Sequence, residues 1–422
     1  MQNKNALFSM LVVLVILSCI LVLLIPKQQI GDTNPDESST ENVSGTPSTP
    51  AISDTPSDNS MPVTPSVDPD TSPDVVSPDT SSSVSDTSRS ESSADTSSDN
   101  SSATTSTNTG IEEVIDSILI DKNDRAMEIF SYSSKSNGGK NYALRMNALY
   151  KDLQSVKPGI KLYSMPIPKP CAYYIGDSDK YAGYAGCTEL ALNQISEFLD
   201  KGIINVDVYN ALMPHKNEEI YFRSDYHWTG LGAFYGAEAL AKAAGVSFAP
   251  LSDYSSETRN GFLGALYSIT KSSKLYSNPD NFTVYKNKNY TYNTDYTVTY
   301  HDFKDFNSID RHDIFYTFSD EKRSLWYMTF LNGDDRAVNI KSNVCHNGRK
   351  LLIIKDSYGN PLAPYFLESF EEVWMIDIRK FQDNVLDFVV DKDITDVSVS
   401  MSIHSVVGGN QKYLDSIRTQ GR

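Results

Sequence analysis

A break in composition at residue 111 limits what this chain can fold into more than any other feature. Residues 31–109 hold no Phe, Tyr or Trp and are mostly Ser, Thr, Pro and Asp. So little apolar surface cannot offset the chain entropy lost on folding, and the stretch reads as a disordered linker. As a flexible coil its root-mean-square span is roughly 50 Å. Fourteen acidic residues against the single Arg89 give it most of the net charge of −17 carried by the whole chain. Only about −6 is left on 111–422, with no basic stripe to neutralise phosphates. That argues against nucleic acid as a partner.

Ahead of the linker, Ala6 to Ile25 reads ALFSMLVVLVILSCILVLLI, 20 residues without a charge. As a helix this run matches the thickness of a bilayer's hydrocarbon core. It ends in Ile25-Pro26-Lys27 with no small-x-small cleavage site, so it reads as an uncleaved single-pass helix. Cys19 invites a lipoprotein reading, but Leu17 is bulky for that signal and the apolar run continues past the cysteine. The expected plan is an anchor over 1–30, a linker over 31–110 and a folded domain over 111–422. One lysine on each side of the run leaves orientation nearly silent. The extracytoplasmic placement rests on the linker, whose composition resembles wall-spanning tethers. In the folded part Cys171 and Cys187 either pair or stay as buried thiols, and Cys345 has no partner left.

Periodicity organises the rest. Tyr142, Met146, Leu149, Tyr150 and Leu153 share one helical face. KLYSMPI (161–167) predicts a buried strand, 188–201 a helix stopped by Gly202, and IINVDVY (203–209) a strand. Residues 229–245 predict a helix between an N-cap at Thr229 and Gly245. An insert over about 250–345 is rich in Tyr, Phe, Asn and Asp. It predicts irregular loops and short strands, with aromatics that either stack on sugar rings or pack β structure. Strands at 350–356, 372–377 and 396–402 alternate with helices at 361–370 and 381–392. The chain is thus expected to form an α/β parallel sheet with helices on both faces, its site at the strands' carboxyl ends.

Two segments hold candidate chemistry. Ser357 follows the apolar strand in Lys355-Asp356-Ser357-Tyr358-Gly359-Asn360. A serine at a strand-to-helix turn can be a nucleophile with backbone N–H groups at hand for an oxyanion; it can equally be a helix cap. Asp225 and His227, two apart before the helix at 229, can meet so that the carboxylate fixes the imidazole. A satisfied histidine at a helix start is the plainer alternative. Trp228 either shields such a site or packs beneath it. No H-x-x-x-H spacing occurs, so neither a metal centre nor a cofactor is expected.

Taken together, 205–240 (NVDVYNALMPHKNEEIYFRSDYHWTGLGAFYGAEAL) and 350–377 (KLLIIKDSYGNPLAPYFLESFEEVWMID) resemble the DHHW protein family. That family is related to alginate O-acetylation proteins with SGNH-hydrolase-like, flavodoxin-like domains. The resemblance departs at one point, where Tyr226 replaces the first histidine of the namesake run. It implies a Ser-His-Asp triad of Ser357 as nucleophile, His227 as base and Asp225 as its orienter. This chain order reverses that of GDSL hydrolases. Oxyanion candidates are the Tyr358 N–H, Asn360 and Asn332; Arg223 either stabilises charge or pairs structurally; His404 is a rival base. The implied activity is an O-acetyltransferase or acetylesterase acting on cell-surface or exopolysaccharide, with a separate membrane protein delivering acyl groups. The competing reading is a non-catalytic carbohydrate-binding or envelope-assembly protein.

Overall fold

The structure is a computed structural model that describes residues 110–177 and 179–421. The expected membrane span and all but the last residue of the linker lie outside them. Among the described residues no helix is long and apolar enough to cross a membrane.

The described chain opens with a small antiparallel meander, β1 (Ile111–Ile115), β2 (Ile118–Asp121) and β3 (Ala126–Glu128). Asp116 and Ser117, both at positive φ, make the tight β1–β2 turn. Helix α1 (Gly138–Val156) then leads into β4 (Lys161–Ile167). Helix α2 (Cys187–Phe198), the short β5 (Ile204–Asn205) and helix α3 (Gly230–Ala244) follow. In the insert, β6 (Tyr254–Phe262) and β7 (Asp280–Asn287) form a long hairpin beside β8 (Tyr296–His301), β9 (Ser308–Ile309) and β10 (Ala337–Ser342). The last part contains β11 (Lys350–Lys355), β12 (Glu372–Asp377), helix α4 (Val385–Asp391) and β13 (Asp396–Ser402).

One sheet of eight strands, in the order β5-β4-β13-β11-β12-β10-β8-β9, carries the domain. The first five are parallel. Counted from β11, these five lie in the order 2-1-3-4-5 of flavodoxin-like sheets. The chain therefore enters that sheet at its fourth strand, β4. This permutation accounts for Asp225 and His227 preceding Ser357. Side chains alternate along β11: Leu352 and Ile354 pack under α1, α2 and α4, whereas Leu351 and Ile353 pack under α3. Both faces of the sheet are thus covered by helices.

Three expectations need correction. The sheet is not wholly parallel, because β12, β10, β8 and β9 pair antiparallel. Only the short segment 343–349 joins β10 to β11, too little for the crossover a parallel connection needs. The strand expected over 203–209 pairs only at Ile204–Asn205, because the Asp207 carboxylate takes the Asn210 N–H and starts a helical turn. The helix expected over 361–370 is instead a 3-10 run, Ser357–Tyr365. Pro361 and Pro364 lack the N–H groups that an α-helix needs there. Part of the insert's aromatics is packing: Phe262, Phe282, Trp326, Tyr327 and Phe330 form a buried cluster with Phe222. Cys171, Cys187 and Cys345 are free, buried thiols.

Candidate active site

The serine turn is built from Asp356. β11 ends at Lys355, Asp356 stays extended, and its Oδ1 accepts the Tyr358 N–H at 3.0 Å. Its Oδ2 accepts the N–H and hydroxyl of Ser402 at 3.0 and 2.8 Å, tying this turn to the end of neighbouring β13. Ser357, half-buried, begins the 3-10 run at the carboxyl end of β11, an interior strand of the sheet. Asp225 lies on the other side. Its Oδ1 accepts both the backbone N–H of His227 (2.9 Å) and the ring Nδ1–H (2.6 Å), and its Oδ2 accepts the Ala265 N–H at 2.7 Å. With Nδ1 protonated toward the carboxylate, Nε2 is free to accept the Ser357 hydroxyl, 2.8 Å away. Burial alone raises the Asp225 carboxyl. The His227 ring and the Ala265 and His227 N–H groups outweigh it and hold the carboxyl below its usual value.

Close approach at Asp225 depends on Gly264. A Cβ there would stand 2.2 Å from Asp225 Oδ2 and 2.3 Å from its Cβ. Gly264→Ala must push the 265–270 helix off the carboxylate, at a cost of about 1–3 kcal/mol. The expected result is a fall in Tm of several degrees, read by calorimetry; an unchanged Tm would mean that the helix moves aside freely.

Tyr327 is a neighbour that periodicity gave no means to find. It comes from the insert, in the 3-10 run Asp320–Thr329. Its ring stacks on the His227 imidazole, centroids 3.7 Å apart and planes at 11°, and its hydroxyl donates to the Ser357 carbonyl at 3.0 Å. Burial pushes its phenol well above the ordinary range, so it stays a donor. Trp228 packs beneath: it is fully buried, and its indole N–H donates to the Tyr358 carbonyl at 2.8 Å. A Cβ on Gly236 of α3 would come 2.6 Å from the Trp228 ring, so that helix needs glycine to admit the indole. At the position of the missing first histidine, Tyr226 lies under the Lys169 ammonium and its carbonyl accepts the Tyr358 hydroxyl.

The oxyanion candidates fare differently. The Tyr358 N–H is already engaged by Asp356, and the Asn360 amide donates to Asp334 at 2.8 Å. Asn332 sits two residues before Asp334 in a turn of consecutive positive φ angles. A further donor is the Ser357 backbone N–H, which opens the 3-10 run and meets no acceptor among the described residues. Arg223 takes its structural role, pairing with Asp280 and the Pro279 carbonyl. His404 faces Phe130 and lies 3.9 Å from Glu128, whereas the ring that meets Ser357 Oγ is that of His227. Burial and the Lys169 ammonium lower its imidazole to about 4. Beside the serine turn, Lys355, Asp334, Asp377 and Arg379 form an ionic network. Among the described residues no cluster could hold a metal ion.

Several solved structures are similar to this chain. A crystal structure of a DHHW family protein from Eubacterium siraeum is similar at TM-score 0.63 and 37% identity, covering 71% of this chain and 95% of that one. Bacillus cereus PatB1, in a structure with a sulfonyl adduct, matches at TM-score 0.57 and 18% identity, over 71% of this chain and 97% of its own. The O-acetyltransferase domain of Pseudomonas putida AlgJ is more distant, at TM-score 0.38 and 14% identity, over 73% and 98%. A comparison with curated protein sequences gives no match. The DHHW protein model spans residues 57–376, and with it Asp225, His227 and Ser357. This chain belongs to the DHHW family.

Proposed function

We propose that the chain is an SGNH-hydrolase-like O-acetyltransferase or acetylesterase, held outside the cytoplasm by its N-terminal helix and linker and acting on a cell-surface polysaccharide. The observation that carries the reading is the His227 ring, whose two nitrogens meet Asp225 at 2.6 Å and Ser357 at 2.8 Å. In the reaction Ser357 Oγ bonds to the acyl carbon while its proton passes to His227 Nε2. Asp225 steadies the resulting imidazolium. Collapse of the tetrahedral adduct expels the donor's oxygen, which takes the proton from Nε2. A sugar hydroxyl or water, deprotonated by the same nitrogen, then releases the acyl group. The Ser357 N–H serves the developing oxyanion. Acyl groups come from a separate membrane protein, since one helix cannot carry them across.

The test is covalent. The 422-residue chain, exposed to a serine-directed fluorophosphonate, should be labelled at Ser357 and lose aryl-acetate turnover together. A second reading, a non-catalytic glycan-binding protein, is favoured by the engagement of both the Tyr358 N–H and the Asn360 amide. It predicts no labelling, and that outcome rejects the enzymatic proposal.

Tyr327 acts on this reading as a positioning residue. Tyr327→Phe keeps the stacked ring and loses one hydrogen bond, worth about 0.5–1.5 kcal/mol. Turnover should fall no more than about tenfold. Tyr327→Ala frees the imidazole plane and should cost about a hundredfold, since small misplacements have that effect. Equal loss in both variants would mean that the hydroxyl, not the ring, matters.

A further inference from the structure

A cavity of about 320 Å³ lies at the far end of the insert, where β7 meets the start of β8. Its Asn287 and Asp280, which holds the segment beside Asp225, are the two ends of the eight-residue β7. At strand rise this is about 23 Å, so the cavity is a separate site. The rings of Tyr290, Tyr292, Tyr296 and Phe315 line it, and all four stay partly exposed, unlike Phe262, Phe282, Trp326 and Phe330 of the buried cluster. Their placement is fixed. Tyr290 donates to Glu368 at 2.6 Å. Tyr292 and Tyr296 meet edge to face at 5.8 Å across a turn. Asn343 pins that turn, its N–H reaching Asp295 O at 2.7 Å and its amide Thr294 O at 2.9 Å.

We propose that this cavity binds a neutral pyranose unit of a polysaccharide. The C–H face of a sugar ring carries slight positive charge and stacks on the negative face of an aromatic ring. Sugar hydroxyls need acceptors and donors at the rim. The Asp313 carboxylate, also in the lining, accepts no hydrogen bond from the described residues. Among the described residues that line it the one cation, Lys286, is already held by Glu257 at 2.7 Å. With its positive charge offset and Asp313 unpaired, the cavity disfavours a uronate and suits an uncharged ring. Its volume lies at the lower end for ligand sites and fits a single unit, not a long segment. Rings and polar groups already in place reduce the ordering cost of binding. The inference does not rest on serine chemistry: the site holds polymer whether or not Ser357 reacts.

The test uses the 422-residue chain and three probes in calorimetric titration: cellohexaose, chitohexaose and a galacturonate hexamer. At least one neutral hexamer should bind more tightly than the galacturonate. Tyr292→Ala and Tyr296→Ala should each weaken that binding about tenfold or more, as loss of an aromatic anchor does. Tyr292→Phe should retain it, which guards against a folding defect. Turnover of a small aryl acetate should be unchanged in all three variants. The proposal is overturned if neither neutral hexamer binds, if the galacturonate is preferred, or if binding ignores both alanine substitutions.

Discussion

Ser357→Ala is expected to lower turnover of an acetyl ester by about a millionfold, Asp225→Asn by about ten-thousandfold, and the two together by no more than the first alone. The grading follows from geometry. Without the Ser357 hydroxyl there is no atom for His227 Nε2 to deprotonate, so the whole covalent route is lost. With asparagine at 225 the hydroxyl remains, but the acceptor of the Nδ1–H, now 2.6 Å away, becomes an amide. The imidazole then either turns its other tautomer to the serine or bears its positive charge unaided. Because one proton path runs through all three groups, their losses do not add. Rates measured on purified variants with equal Tm test this. Additive losses, or an Asp225→Asn variant as active as the parent, would mean that the three residues do not work as one unit.

The sequence made these three residues legible for different reasons. Asp225 and His227 announce each other through local spacing, and the Asx-type bond from Asp225 Oδ1 to the His227 N–H is a local structure. Ser357 is marked by the apolar strand that ends beside it. Strands β4, β11, β12 and β13 and helices α1 to α3 were equally readable, because each carries its own apolar period and α3 runs from its cap at Thr229 to Gly245, although α2 ends at Phe198, short of the expected stop at Gly202. What spacing could not give is any contact set by the return of the chain. Tyr327 lies 100 positions from His227 and belongs to a 3-10 run with no helical stripe. The engagement of the Tyr358 N–H and Asn360 depends on Asp356 and Asp334, whose side chains could equally have faced solvent. Likewise β8 is one of the short strands expected of the insert, but only its pairing with β10, and that of β10 with β12, reveals that it extends the main sheet. The permuted strand order explains why the catalytic order looked reversed.

The largest stability effect is expected at Lys355, which no sequence pattern singles out. It is almost fully buried at the end of β11, and its stem passes so close to Gly359 that a Cβ there would stand 2.5 Å from it. Its ammonium lies 3.1 Å from Asp334 and 3.7 Å from Asp377. Arg379 reaches both carboxylates, at 2.9 and 2.5 Å, so two cations balance two anions. Lys355→Met conserves much of the stem but leaves two carboxylates on one partly exposed guanidinium. Breaking a buried ion pair from one side costs about 3–5 kcal/mol. A Tm lower by roughly 10 °C is expected. The deficit should depend on pH. Burial alone raises the Asp334 carboxyl, but Lys355 and Arg379 outweigh it and hold it well below the usual value. Its stabilisation is therefore complete above the unfolded value of about 3.9 and is lost as the pH falls through the lower folded value. Parent and variant should differ most near neutrality and converge in strong acid. The network also fixes Asn360 and the strand end that carries Ser357, so a looser Lys355→Met turn should lower turnover as well. Equal stability across that range would mean that desolvation already cancels the attraction, and that the four charges hold the serine turn in place without strengthening the fold.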